Sequence, residues 1–197
     1  GRRVSDLHRE IAACTLCAPF LPLGPRPVAQ FSLTSQILIV GQAPGTKVHE
    51  SGLPWDDASG QRLCEWTRLT FEQLHDPALV ALVPMGFCYP GKGKSGDLPP
   101  RRECAPLWHE RVLARLPENR LTLLVGTYAQ NYYLPQAKTL TMAERVRRFR
   151  EFGPDYFPLP HPSWRSTIFM RANPWFEAEV LPALKNAVAL RIAHPIR

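Results

Sequence analysis

The sequence predicts an α/β fold: a three-layer αβα arrangement with a central, mainly parallel four-stranded sheet. Two observations predict it. Short apolar runs rich in Val, Ile and Leu recur along the chain, and such runs are typical of strands buried on both faces. Helical patterns lie between them, and strands that alternate with helices form a parallel sheet covered on both sides. At 197 residues the chain is long enough for one domain, 1–197, with its own core.

Four apolar segments are the predicted strands. The first and the third each end at a glycine, Gly41 and Gly126, which marks the start of a loop. The predicted strands cover 36–40, part of 78–87, 121–125 and 156–159.

Helical spacing of apolar residues and helix-capping residues predict the remaining elements. Ser59 is the expected N-cap of the second helix, and Asn173 before Pro174 is the expected start of the last one. Ligands bind at the carboxyl ends of strands in such folds, so we expect the site where the loops after the first, second and fourth strands meet. The predicted helices cover 4–13, 60–75, 103–116, a stretch beginning at 127–133, and 174–191, and the predicted long loops cover 41–59 and 89–101.

Four cysteines form a pattern of metal-ligand type. Cys14 and Cys17 are separated by two residues, and Cys88 and Cys104 by fifteen. Four cysteine thiolates that point at one site bind either a tetrahedral zinc ion or an iron–sulfur cluster. The fifth, Cys64, lies in an apolar helical stretch and is expected to be a buried free thiol.

Charge and composition narrow the class of partner. The net charge of +7 favours a polyanion, although a basic protein without such a partner has the same composition. No apolar run is long enough to cross a membrane, and the N-terminus lacks the apolar core of a signal peptide. Reduced cysteines fit a reducing compartment. We therefore expect a cytoplasmic protein, monomeric and without membrane contact.

Two loop motifs carry a family resemblance. The first runs through 37–45, ILIVGQAPG, and continues as G-x-P-W-x-D-x-S-G over 52–60; the second is LPHPS over 159–163. Together they resemble the signatures of the uracil-DNA glycosylase superfamily. With the cysteine spacings added, the chain resembles its iron–sulfur, thermophile-type branch, over about residues 10–185.

The resemblance implies a monofunctional DNA glycosylase in base excision repair. Such an enzyme hydrolyses the N-glycosidic bond of uracil or another deaminated base in DNA. It also implies a [4Fe-4S] cluster, with zinc as the alternative metal, held by the ligands Cys14, Cys17, Cys88 and Cys104.

Several residue roles follow from the resemblance. His161 is expected to hydrogen-bond the oxygen of the departing base, and Trp55 to stack on the flipped base. Backbone amides around Ala43 to Gly45 are expected to contact that base. The plainer interpretations are a loop-capping histidine and a core tryptophan.

The chain departs from the family pattern at two positions. Gln42 stands where the iron–sulfur branch usually has a glutamate, and an amide orients water but cannot act as a base. Asp57 is therefore the favoured catalytic carboxylate, with a helix cap as its plainer role. Pro84 replaces an asparagine that reads the edge of uracil in relatives, which puts uracil selectivity in doubt. The acidic or basic alternatives near Asp57 are His49, Glu50 and Asp56.

DNA contacts are expected at two places. The loop with Ser163, Trp164 and Arg165 matches the segment that relatives wedge into the minor groove. The loop between Cys88 and Cys104 is suited to phosphates, or to solvent alone. Its basic residues are Lys92, Lys94, Arg101 and Arg102. Because Gln42 and Pro84 replace a glutamate and an asparagine of the family pattern, two rival functions stay open. One is a glycosylase-fold protein that binds damaged DNA without cutting it, and the other is a redox-responsive iron–sulfur protein that binds nucleic acid.

Overall fold

A computed structural model describes residues 2–193 of the chain, with side chains over 5–192. The helices are α1 (Arg2–Ala12), α2 (Thr46–Ser51), α3 (Ala58–Thr67), α4 (Phe71–Leu74), α5 (Cys104–Leu113), α6 (Thr127–Tyr133), α7 (Met142–Arg147), α8 (Ser166–Ala172) and α9 (Leu181–Ala193). The strands are β1 (Ile37–Val40), β2 (Val80–Leu82), β3 (Lys92–Gly93), β4 (Gly96–Asp97), β5 (Leu121–Val125) and β6 (Tyr156–Leu159). Within the described part of the chain, no helix is both long and apolar enough to span a bilayer.

The central sheet confirms the predicted fold class. Among the described residues it has four strands in the order β2-β1-β5-β6, all parallel. In the middle of the sheet, Ile37 of β1 lies opposite Val80 on one side and Leu121 on the other. The short strands β3 and β4 form a separate antiparallel hairpin.

Alternation along the strands builds two cores, one on each face of the sheet. Ile37 and Ile39 point into a core completed by α3 and α9, whereas Leu38 and Val40 point into a core completed by α1, α5 and α6. All four of these strand side chains are fully buried. Because successive side chains of a strand point to opposite faces, this pattern fixes the three layers.

The second helix differs from its prediction at both ends. Ser59 is not the N-cap: Asp57 is, since its side chain accepts a hydrogen bond from the Gly60 N–H at 3.0 Å. The helix also stops early, because Arg68 adopts a left-handed conformation with φ 62°. A separate helix, α4, follows. The expected 60–75 helix is therefore two helices.

The expected start of the last helix is also wrong in detail. The Asn173 side chain donates to the Phe169 carbonyl of α8 at 2.9 Å instead of capping the helix that follows. That helix opens with a π-helical turn, Phe176–Val180, before α9. The sequence patterns missed α2, α7 and α8, which are short and carry few apolar repeats.

A buried histidine supports the segment that follows β2. His109 on α5 is only 1% exposed, and its Nε2 lies 2.7 Å from the Pro84 carbonyl. A carbonyl only accepts, so Nε2 carries the proton, and Nδ1 accepts from the Tyr133 hydroxyl at 2.6 Å. Burial lowers the pKa of His109 to about 4. The histidine is therefore held neutral in the folded protein.

We predict an acid-dependent loss of stability that depends on His109. The unfolded chain binds this proton near pH 6.5 and the folded chain only near pH 4, so the free energy of unfolding falls as pH drops through that window. The difference corresponds to about 3 kcal/mol for the full shift. His109→Gln retains an amide donor for Pro84 and does not titrate. Urea unfolding at several pH values should show a smaller loss in the variant; equal losses would contradict the prediction.

Candidate functional site

A cleft of about 490 Å³ opens at the carboxyl edge of the sheet, where such folds bind ligands. The loops after β1, β2 and β6 meet there, as the sequence predicts. Its walls combine apolar residues with a few polar side chains. The lining residues are Val28, Gly41, Gln42, Ala43, Pro44, Gly45, Val48, Pro54, Trp55, Asp57, Ser59, Leu82, Pro84 and His161.

Trp55 forms one wall of the cleft and depends on two glycines. A Cβ atom on Gly41 would lie 2.8 Å from Cζ2 of the Trp55 ring, and one on Gly60 would lie 1.9 Å from the Trp55 carbonyl oxygen. The tryptophan itself has a positive φ of 60°. Its ring lies 5.9 Å from that of His161, with 29° between their planes. The result is a flat aromatic surface beside an imidazole.

His161 lies just past β6, with its ring at the cleft. Burial lowers its pKa, an effect that the nearby negative charge of Asp57 partly opposes. The imidazole is therefore neutral at pH 7 and offers one donor and one acceptor nitrogen. No hydrogen bond joins either nitrogen to another described residue, so the ring is available to a bound molecule.

Arg62 of α3 fastens the loop that follows His161. Its guanidinium Nη1 donates to the Ser163 carbonyl at 3.2 Å, to the Ser166 hydroxyl at 2.6 Å and to the Thr167 hydroxyl at 3.2 Å. The Ser163 N–H in turn donates to the His161 carbonyl at 2.8 Å. These bonds tie the histidine loop to the helix that Asp57 caps.

Asp57 caps a helix and also lines the cleft. Its Oδ1 caps α3 through the Gly60 N–H, and the side chain also lines the cleft. Among the lining residues, only Asp57 and His161 are ionisable. The alternatives at positions 49, 50 and 56 lie outside this lining.

Gln42 and Pro84 also line the cleft. The Gln42 amide packs closely over Gly126, whose φ is +90°; a Cβ there would lie 3.2 Å from Gln42 Nε2. Pro84 has no side-chain hydrogen-bonding group, and its carbonyl already accepts a hydrogen bond from His109. The backbone around Ala43 and Gly45 completes this side.

The residues expected to contact DNA lie on exposed loops. Trp164 is 73% exposed, and the Arg165 guanidinium lies 5.4 Å from the centre of its ring. Lys92 and Lys94 are exposed on the β3–β4 hairpin. That hairpin reaches the rim of the cleft, since a Cβ on Gly45 would lie 3.6 Å from Oδ2 of Asp97.

The family resemblance of the two loop motifs agrees with a match to a protein-family model. The model of a protein family described as "Uracil DNA glycosylase superfamily" matches residues 28–185. The chain belongs to the uracil-DNA glycosylase superfamily. Proteins of this superfamily act on DNA, which agrees with the basic charge of the chain. The matched region contains the whole cleft, together with Cys88 and Cys104; Cys14 and Cys17 precede it.

A second cavity in this superfamily member, of about 410 Å³, is lined by all four cysteines of the predicted ligand set. Two backbone N–H groups point at their sulfurs: that of Phe87 donates to Cys104 Sγ at 3.2 Å, and that of Arg26 to the Cys88 sulfur. Burial raises the pKa of Cys88, and the Arg26 N–H partly opposes that rise. Within the described residues, no three His, Cys, Asp or Glu side chains form a group that would hold a single metal ion.

Two basic residues have roles that sequence patterns did not indicate. Arg62 is separated by about a hundred residues from the loop that it binds, so no local spacing marks it. Arg145 of α7 is only 4% exposed. Its Nε donates to the Gln130 side chain at 2.6 Å. Arg62 thus holds the histidine loop, and Arg145 holds a buried glutamine of α6.

We predict that Gly41→Ala disturbs the Trp55 wall. The added methyl would lie 2.8 Å from the ring, and overpacking of this kind costs about 1–3 kcal/mol. Gly45→Ala is the matched control in the same loop, since its Cβ has only an ordinary contact at 3.6 Å. Urea unfolding should show a clear loss for the first variant and little change for the second. Equal stability of both would contradict the tight contact.

Proposed function

We propose that this protein is a monofunctional DNA glycosylase that excises uracil or another deaminated base by hydrolysing the N-glycosidic bond. One observation carries the proposal: Trp55, His161 and Asp57 meet in one cleft. The imidazole of His161 is neutral there, and neither of its nitrogens is hydrogen-bonded to another described residue. Membership of the superfamily supports DNA as the substrate.

The base side of the reaction is assigned to Trp55 and His161. A base inside a duplex is out of reach, so the nucleotide must be flipped into the cleft. The Trp55 ring offers a stacking surface for any base. As the glycosidic bond lengthens, negative charge grows on the base, and an N–H of neutral His161 stabilises it by a hydrogen bond.

The sugar side is assigned to Asp57 and Gln42. The sugar becomes oxocarbenium-like as the base leaves, and a carboxylate stabilises that positive charge. One Asp57 oxygen accepts the Gly60 N–H, which fixes the side chain and leaves the other oxygen for the cleft. The Gln42 amide orients the attacking water without taking its proton.

Base selectivity is proposed to be broader than uracil. Pro84 stands where an amide side chain would read the base edge, and its carbonyl is engaged by His109. The backbone of 43–45 remains as the source of hydrogen bonds to the base. Backbone hydrogen bonds distinguish one base from another less strictly than a side-chain amide does, so the protein would also accept other deaminated bases.

The four cysteines that line the second cavity are proposed to hold a [4Fe-4S] cluster. All four thiols line one cavity, and four cysteine thiolates are the usual ligand set of such a cluster. An all-cysteine set also binds a single zinc ion, which is the alternative. The bound group would supply a structural cross-link between the N-terminal segment and the segment before α5.

A lesion-binding protein without catalysis is the second candidate. The glutamine at position 42 and the proline at position 84 favour it, because both remove groups that relatives use on water and base. Trp164 and the basic hairpin would serve binding equally well.

Base release tests the enzymatic proposal. Labelled oligonucleotides, each with one uracil, hypoxanthine, xanthine or mismatched thymine, would be incubated with the metal-loaded protein as single strand and duplex. Alkali cleavage reports the abasic site. We expect release of at least one base, and a loss of about 10²–10³-fold in His161→Ala, the usual effect of removing one such donor. Tight lesion binding without release would favour the second candidate.

Metal analysis tests the cluster. Anaerobically purified protein should contain about four iron and four sulfide per chain. Cys104→Ala should lose both, whereas Cys64→Ala should keep them, because Cys64 lies on α3 outside the cavity lining. Zinc in stoichiometric amount would contradict the cluster, and equal iron in the two variants would contradict the ligand assignment.

A further inference from the structure

A groove larger than the cleft runs beside it, and neither the cleft chemistry nor the cysteine cavity uses it. We call it the tyrosine groove. One wall is α6, with Tyr128 and Tyr132; the other carries Phe20, Leu98 and Arg102. Counting the open space above it, its volume is about 1520 Å³, roughly three times that of the cleft. Both tyrosines are about 40% exposed.

The tyrosine groove begins where the cleft ends. Pro84 lines the cleft and its neighbour Met85 lines the groove. On the other side, Gln42 lines the cleft and packs on Gly126, two residues before Tyr128. Neighbouring residues of the same segment therefore line the cleft and the groove.

The ring of Tyr132 is held in place. It packs edge to face on Tyr133, with centroids 5.0 Å apart and planes at 71°, and on His109 at 6.0 Å and 70°. His109 is itself fixed by hydrogen bonds at both nitrogens. An exposed ring held this way is a stacking surface that loses little conformational freedom on binding.

The opposite wall pairs aromatic surface with positive charge. The Arg101 guanidinium lies 4.3 Å above the Phe20 ring and pairs with Glu103 at 3.0 Å. Arg102 is exposed and forms no ion pair with any residue that the structure describes. The groove thus has two guanidinium groups against one carboxylate, in a chain of net charge +7. This charge balance selects an anionic occupant.

We propose that the tyrosine groove binds single-stranded DNA, the stretch that flanks the flipped nucleotide, with Tyr128 and Tyr132 stacking on successive bases and Arg102 facing the phosphates. Exposed ring faces fit a single strand because the base faces of a duplex are already stacked on each other. Its place beside the flipped base rests on the proposed function. Binding of an undamaged single strand does not.

The test is binding of a fluorescent, undamaged oligothymidylate by anisotropy, with a duplex of equal length in parallel. Tyr128→Ala and Tyr132→Ala should each weaken single-strand binding by about 5- to 150-fold, the usual effect of losing one stacking ring. Tyr128→Phe and Tyr132→Phe should bind like the wild type. Arg102→Gln should reduce the slope of log affinity against log salt by about one.

The control is Phe71→Ala, since Phe71 is 49% exposed on α4 but does not line the groove. Thermal unfolding would confirm that each variant is folded. Unchanged affinity in both alanine variants would overturn the proposal, as would tighter binding of the duplex; a groove that receives a protein segment would give the first of these results.

The base-release assay separates this proposal from the proposed function. Tyrosine-dependent binding of single strands without release of any base would keep the groove and reject the glycosylase. His161-dependent release with normal single-strand binding by the alanine variants would keep the glycosylase and reject the groove.

Discussion

The packing of Trp55 against Gly41 and Gly60 is the contact on which the cleft depends. Gly41 ends β1 and Gly60 lies in the first turn of α3, so the tryptophan closes the space between a strand end and a helix start. Neither glycine tolerates a side chain there. Because the sheet is parallel, the end of β6 brings His161 to the same edge. The parallel topology and the glycine contacts together bring the indole and the imidazole to one place.

One segment of about twenty residues connects the three cavities. Pro84 lines the cleft, Met85 the tyrosine groove, and Cys88 and Cys104 the cysteine cavity. The hydrogen bond from His109 to the Pro84 carbonyl holds its start. A metal group bound by the cysteines would hold its end. In the proposed function the cysteines would thus have a structural task, since hydrolysis requires no electron transfer.

Sequence patterns predicted the sheet well and the local details less well. The runs at 121–125 and 156–159 coincide with β5 and β6, because a strand buried on both faces leaves a continuous apolar signature. The N-cap of α3 was misplaced, since Asp57 and Ser59 are both good caps and only the bond to Gly60 decides. Arg62 left no signature, because its partners are distant in sequence. The role of the cleft in catalysis stays a prediction that base release must decide.

The proposed chemistry requires the cleft to stabilise a sugar cation while the base leaves. The most direct measurement compares two oligonucleotides, one with a cationic pyrrolidine in place of a sugar and one with an uncharged tetrahydrofuran, so the target base need not be known. We expect the protein to bind the cationic oligonucleotide about tenfold or more tightly than the uncharged one. Asp57→Asn, which keeps an acceptor for the Gly60 N–H, should remove most of that preference. Equal affinity of the wild-type protein for both oligonucleotides would contradict the claim.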